Sequence, residues 1–210
     1  MSKIEAFPVV YGKSTLLESE MFLGGSADKK RPILFMIYLI RAGKRVILAD
    51  AGCETMPGFV MEDFLGPIAA LCDMGVSAED VTDIIITHAH HDHIECVKYF
   101  KNARIFIQRD EYEAGKSYIP EGAETVLFDD SAAVAPGVTV KRIGGHSIGS
   151  CVVELETDGK TTVIAGDECY VRECLIEHIP TGCSYSKEKS RDFIEKYSSD
   201  EYRVLLCHDK

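Results

Sequence analysis

Long apolar runs are missing from this chain. The longest, Ile33 to Ile40, is far too short to cross a bilayer and reads as a buried strand. Positive charge is scarce: Lys and Arg total 23 against 34 Asp and Glu, a net charge of −11. An acidic surface repels phosphate backbones, so no nucleic-acid partner is expected. No membrane partner is expected either, since no segment can span one. A charged-then-apolar leader is absent from Met1 to Tyr11, which argues for a cytoplasmic protein. Eight cysteines are present, but no two form a C-x-x-C pair. Their spacings fit no zinc finger. Without an export signal they are expected to be reduced thiols. Repeats, low-complexity stretches and long linkers are also absent.

What is present is 210 residues, 46% of them hydrophobic, enough for one domain over residues 1–210 with a sizeable core. Ile33–Arg41 and Arg45–Ala49 predict strands joined by a hairpin at Ala42-Gly43-Lys44. Phe59 to Met74 shows helical spacing through Phe64, Leu65, Ile68 and Leu71, closed by Gly75. Ser77 caps a short helical turn. Further strands are expected at Val81–Thr87, Arg104–Gln108, Val138–Ile143, Cys151–Thr157, Thr161–Ala165 and Arg203–Cys207, with Asp158-Gly159 as a hairpin turn. Helices are expected at Ile94–Phe100, Asp110–Lys116 and Ser186–Ser198. Strand hairpins in two groups, each followed by helices, predict an α+β fold of two packed sheets with helices outside.

The densest chemistry lies in Thr87-His88-Ala89-His90-His91-Asp92-His93, directly after the apolar Ile84-Ile85-Ile86. Imidazole and carboxylate are the ligands of zinc and similar metals. Side chains two apart share a face of an extended segment, so His88 and His90 leave together. Asp92 and His93 then turn toward a second metal, and His91 points away. The remaining candidates are His146, Asp167 and His208, each following an apolar strand.

The set Asp50-Ala51-Gly52, His88-Ala89-His90-His91-Asp92-His93, Gly145-His146-Ser147, Gly166-Asp167 and Cys207-His208 resembles the metallo-β-lactamase superfamily, over about Ile33 to His208. The resemblance implies an αββα sandwich with a dinuclear site at one edge. It places His88, His90 and His146 at one metal and Asp92, His93 and His208 at the other. Asp167 would bridge them, and Asp50 would orient a ligand histidine. Two divalent ions are implied, zinc first, with manganese, iron or cobalt also compatible. Flavodiiron oxidoreductases carry Glu where His90 stands, and lactamases with a Cys ligand carry it where Asp167 stands.

Within the superfamily the chain looks most similar to N-acyl-homoserine lactonases, through Asp167-Glu168-Cys169-Tyr170, Ile105 to Glu113, and Cys207-His208-Asp209. It departs from them in the bulky Ile94-Glu95-Cys96 after the metal motif, which predicts an acidic rim. The implied reaction is opening of an ester or lactone in a small molecule by a metal-bridging hydroxide. Tyr170 is the candidate oxyanion donor, and Asp92, also a ligand, the candidate proton carrier. Met21-Phe22-Leu23, Phe59 and Phe64 are candidate lining residues or simply core. One alternative is a thioesterase of the glyoxalase II type, which wants Lys or Arg near the site, where few stand. Another is a mononuclear iron sulfur dioxygenase, against which the complete Asp92, His93 and His208 set argues. A non-enzymatic metal-binding scaffold is a third.

Overall fold

A computed structural model describes residues 3–157 and 159–209. Among the described residues, eleven strands form two sheets. The first holds, in spatial order, β1 (Ile4–Leu17), β2 (Lys30–Ala42), β3 (Arg45–Ala49), β4 (Asp83–Ile86), β5 (Arg104–Gln108) and β6 (Thr125–Phe128). The second runs β11 (Tyr202–Leu205), β10 (Thr161–Ile164), β9 (Cys151–Glu156), β8 (Val138–Arg142) and β7 (Ser131–Ala135). Alternation along β2 shows how the layers form. Met36, Tyr38 and Ile40 face a cluster shared with Val138, Val140, Val153 and Leu155 of the second sheet. Phe35, Ile37 and Leu39 face the opposite cluster, which includes Leu71 of α2 (Pro67–Asp73). Residues of period two are thus apolar on both faces, as a sheet covered on both sides requires. On the second sheet, Val152, Val163 and Val204 share that cluster with Phe193, Ile194 and Tyr197 of α6 (Lys187–Tyr197). The result is the expected αββα sandwich, with mixed sheets.

Strand direction places the site. β3, β4, β5 and β6 are mutually parallel. In the second sheet β10 is parallel to β11, and β8 reaches the same direction through the antiparallel β9. The segments after β3, β4, β5, β8, β10 and β11 therefore emerge along one edge. Ligands collect at such carboxyl ends of strands.

Several sequence expectations are corrected. The helix expected from Phe59 shrinks to α2, because Gly66 takes φ +82° just before Pro67. A residue before proline is steered away from helical backbone. Phe64 and Leu65 are consequently 38% and 51% exposed, not a core face. β1, β6 and β7 had no sequence assignment, nor did the short helices α1 (Glu18–Met21) and α5 (Arg172–Ile176). β1 also carries a bulge between Val10 and Gly12. A Cβ on Gly12 would approach Met61 Cε and Phe64 Cδ2 to 2.9 Å, so glycine lets the 59–66 loop lie on the strand. The helix expected from Ile94 begins earlier, as α3 (His91–Ile94), and continues as the 3-10 turn Glu95–Tyr99. The segment of Asp110 to Lys116 is α4 (Arg109–Gly115). Strands β9 and β10 pair as a hairpin expects, but Asp158 of its turn lies outside the described residues. The described cysteines are free thiols. Among the described residues no helix is long and apolar enough to cross a membrane.

Candidate metal centre

The motif after β4 changes backbone state midway. Thr87 to His90 stays outside helical backbone, with His90 extended at the N-cap of α3, so His88 and His90 reach the same place. Asp92 and His93 lie on the first turn of α3 and swing toward a neighbouring point. His91 turns aside: Nδ1 lies 3.1 Å from the Tyr118 hydroxyl and Nε2 2.8 Å from the Thr55 carbonyl. The loop after β8 supplies His146, the 3-10 turn Gly166–Glu168 after β10 supplies Asp167, and the segment after β11 supplies His208. At Gly166, φ is +54° and a Cβ would crowd Thr87 Oγ1 at 3.0 Å, so glycine lets the two loops meet.

These residues converge as two groups. One is His88, His90, His146 and Asp167; the other is Asp92, His93 and His208, with the ligand atoms in each within 4.8 Å of one another. Asp167 divides its oxygens between them. Oδ2 lies 3.6 Å from His88 Nε2 and 3.5 Å from His146 Nε2. Oδ1 lies 3.2 Å from His93 Nε2 and 3.1 Å from His208 Nε2.

Atoms outside the cluster orient the rings. His93 Nδ1 donates to Asp50 Oδ2 at 2.7 Å, His146 Nδ1 to the Cys183 carbonyl at 2.9 Å, and His208 Nδ1 to the Leu34 carbonyl at 2.8 Å. These oxygens only accept, so each outer nitrogen keeps its proton, and in the neutral ring the Nε2 lone pair is the one that faces inward. Asp50 also accepts from Thr87 N and Thr87 Oγ1, fixing the start of the motif.

Charge and unmet valence both fit bound cations. Asp50, Asp92, Asp167, Glu111 and Glu168 are all buried, and the ion pairs of the three aspartates are with histidines. Buried Asp83, by contrast, has Arg45 and Arg104 beside it. A buried charge needs compensation of this kind. His93 Nε2 is buried without a hydrogen-bond partner. His88 Nε2 and His146 Nε2 each lie 3.0 Å from His90 Nδ1. Burial pushes the His88 pKa well below that of free imidazole, helped by His93, and burial also lowers His146. Burial opposes protonation of His93 too, but Asp167, Asp50 and Asp92 outweigh it and hold that pKa high. Asp167 is buried yet held well below the usual carboxylate range by His93, His208 and His88. Three imidazoles plus a carboxylate in one group, and one carboxylate with two imidazoles in the other, form a donor set suited to borderline divalent metals.

The cluster floors a pocket of about 300 Å³, lined by Leu16, Glu20, Ile33, Phe35, Met56 and Phe59 above His90, Asp92, Asp167, Tyr170 and His208. Among the described residues no Lys or Arg lines it. A larger groove of about 850 Å³ runs beside β1 and β10, and none of the seven metal candidates lines it. Tyr170 Oη donates to Asp167 Oδ2 at 2.7 Å, and its ring stacks on His208 with centroids 5.0 Å apart. Burial, then Asp167, raises the phenol pKa, so Tyr170 stays a neutral donor.

The acidic rim expected at Ile94-Glu95-Cys96 is not formed. Ile94 and Cys96 are fully buried, and Glu95 accepts from Glu54 N and Thr55 N instead of facing the pocket. Of the candidate lining residues only Phe59 lines the pocket; Met21 is core, and Phe22 lines a separate small pocket beside α5. His178 sits in an exposed turn. Glu111 and Glu168 were not singled out in the sequence. Glu168 Oε1 accepts from Gly145 N and His146 N at 3.1 and 3.2 Å. Nothing local distinguishes such a carboxylate from a surface one before folding buries it.

The family model described as metallo-beta-lactamase superfamily matches residues 36–208. The N-acyl homoserine lactonase AiiB of Agrobacterium fabrum is 25% identical over 222 residues, covering 82% of this chain and 78% of its own. An N-acyl homoserine lactonase of Bacillus cereus is 30% identical over 136 residues, 60% of this chain; the match spans only 53% of that relative's length. Among solved structures, an N-acyl homoserine lactone hydrolase with the product N-hexanoyl-L-homoserine bound at its catalytic metal centre superposes with a TM-score of 0.83. It is 21% identical, covering 100% of this chain and 94% of its own. The dizinc quorum-quenching lactonase AidC superposes at 0.77 with 20% identity, over 100% and 88%. At these identities the superpositions establish the fold.

Proposed function

This chain belongs to the metallo-β-lactamase superfamily, and from that premise we propose that it is a dinuclear metal-dependent hydrolase that opens an uncharged lactone, of the N-acyl homoserine lactone kind. The observation that carries the proposal is the two-group set of candidate ligands flooring an apolar pocket that has no Lys or Arg among its described lining residues. His88, His90 and His146 would hold one divalent ion, and Asp92, His93 and His208 the other, with Asp167 between them. Two such ions supply an activated water at neutral pH and a Lewis acid for the carbonyl.

The chain's own groups do the rest. Leu16, Ile33, Phe35, Met56 and Phe59 receive an acyl chain and exclude water. Tyr170 is placed to donate its hydroxyl proton in a hydrogen bond to the carbonyl oxygen as charge develops there. Asp92 lines the pocket and is the group to carry a proton to the leaving alkoxide. A glutathione thioester carries free carboxylates that want Lys or Arg partners, and the lining offers Glu20 instead.

The test is metal content per chain together with a hydrolysis panel of lactones, thioesters and phosphodiesters. Two ions per chain, and a higher kcat/KM on a neutral lactone than on a glutathione thioester, are expected. A chain that hydrolyses the thioester and ignores every lactone is a glyoxalase II-type enzyme. One tightly held iron with sulfur oxidation would make it a dioxygenase.

A further inference from the structure

Glu111, in α4, is 3% exposed, and among the described residues no ion pair joins it to Lys or Arg. Its two oxygens serve two different loops. Oε2 accepts from Ala89 N at 2.7 Å, the amide between His88 and His90. Oε1 accepts from Ser147 Oγ at 2.6 Å and Gly149 N at 2.8 Å, in the loop that carries His146. The helix itself is fixed at its start, where the Gln108 side chain accepts from Asp110 N and Glu111 N. It also packs tightly on both loops. A Cβ on Gly115 would meet Ala89 Cβ at 2.9 Å, and one on Gly149 would meet Glu111 Cγ at 2.9 Å.

We propose that Glu111 is a positioning residue for the first ligand group, a clamp that sets the His88–His90 segment against the His146 loop. The second group has other supports, Asp50 behind His93 and the Leu34 carbonyl behind His208. The role needs a carboxylate. Three donors converge on Glu111 from two sides, and only a group that accepts at both oxygens meets them all. In Glu111→Gln the amide NH2 faces a backbone N–H on one side or the other, which forces one loop away. The inference rests on the two-metal reading, and it predicts an effect on one ion only.

The test is calorimetric titration of metal-free protein with Co2+. In Glu111→Gln one of two binding events weakens about 10- to 100-fold, the usual cost of losing an outer-sphere partner, and the other is unchanged. In the metal-free variant, the Ala89 or the Gly149 amide proton, whichever meets the NH2, exchanges faster than in wild type. Asp50→Asn, which frees His93 and also the Thr87 start of the motif, weakens the other event more than this one, and the double variant weakens both. Ser147→Ala, which removes one contact and no backbone bond, shows a smaller loss in the same event as Glu111→Gln and serves if that variant does not fold. Wild-type affinity for both ions in Glu111→Gln, or in Ser147→Ala where that variant stands in, overturns the proposal. So does equal loss of both events, the mark of a general scaffold role. A wild type that takes up fewer than two ions overturns the two-metal reading itself.

Discussion

Tyr170 is hydrogen-bonded to Asp167, the phenol donating to Oδ2 at 2.7 Å. Asp167 Oδ1, the other oxygen, faces His93 and His208. The tyrosine is therefore held at the carboxylate that joins the two ligand groups, yet it belongs to neither of them. Tyr170→Phe is expected to leave metal content unchanged and lower kcat on the best lactone by about 100-fold or more, on the order of 2.7 kcal/mol. An unchanged kcat would reduce Tyr170 to a packing residue.

Asp50 accepts from His93 Nδ1 at 2.7 Å. It sits at φ +65°, a backbone state that Asn tolerates better than Ala does, so Asp50→Asn is the clean substitution. The amide leaves one acceptor oxygen where the carboxylate had two, and Thr87 N, Thr87 Oγ1 and His93 Nδ1 all donate there. Affinity for the ion at His93 should fall about 10- to 100-fold, more than affinity for the other ion. Equal affinities in variant and wild type would remove Asp50 from the metal site.

Metal removal should cost stability. Buried Asp92 and Asp167 then have only imidazoles to compensate their charge. At free metal about 1000-fold above Kd, binding stabilises the fold by about 4 kcal/mol. Chelation should therefore lower Tm by about 8–16 °C for a chain of this size. A thermal transition indifferent to chelator would count against bound metals in the purified protein.

Phe59 meets Phe35 edge-on, with ring centroids 6.0 Å apart, at the apolar side of the pocket. Phe59→Ala enlarges that side. The ratio of kcat/KM for a decanoyl over a butanoyl homoserine lactone is expected to rise, with metal content unchanged. A ratio that stays put would place the acyl chain elsewhere.

Some of this was legible because it is local. His88 to His93 follow an apolar strand, and alternation alone says that His88 and His90 leave on one side. The alternating faces of β2 were equally plain as a strand. Other parts misled. Phe59 to Leu65 has helical spacing, but the helix starts only at Pro67, after Gly66, and Leu65 is left in solvent. Glu95 looked like a pocket rim and instead holds the Glu54–Thr55 backbone.

The sequence by itself determined which side chains offer metal-binding atoms and which strands deliver them, since residue type and periodicity are properties of short stretches. Only the tertiary structure decided what those atoms meet. Parallel strand directions in two sheets brought His146, Asp167 and His208 to the edge where His88 to His93 already stood. The same packing buried Glu111 between the loops that carry His88, His90 and His146, and among the described residues it put no Lys or Arg in the pocket lining. Proximity between residues distant in the chain is created by packing, and no local pattern encodes it.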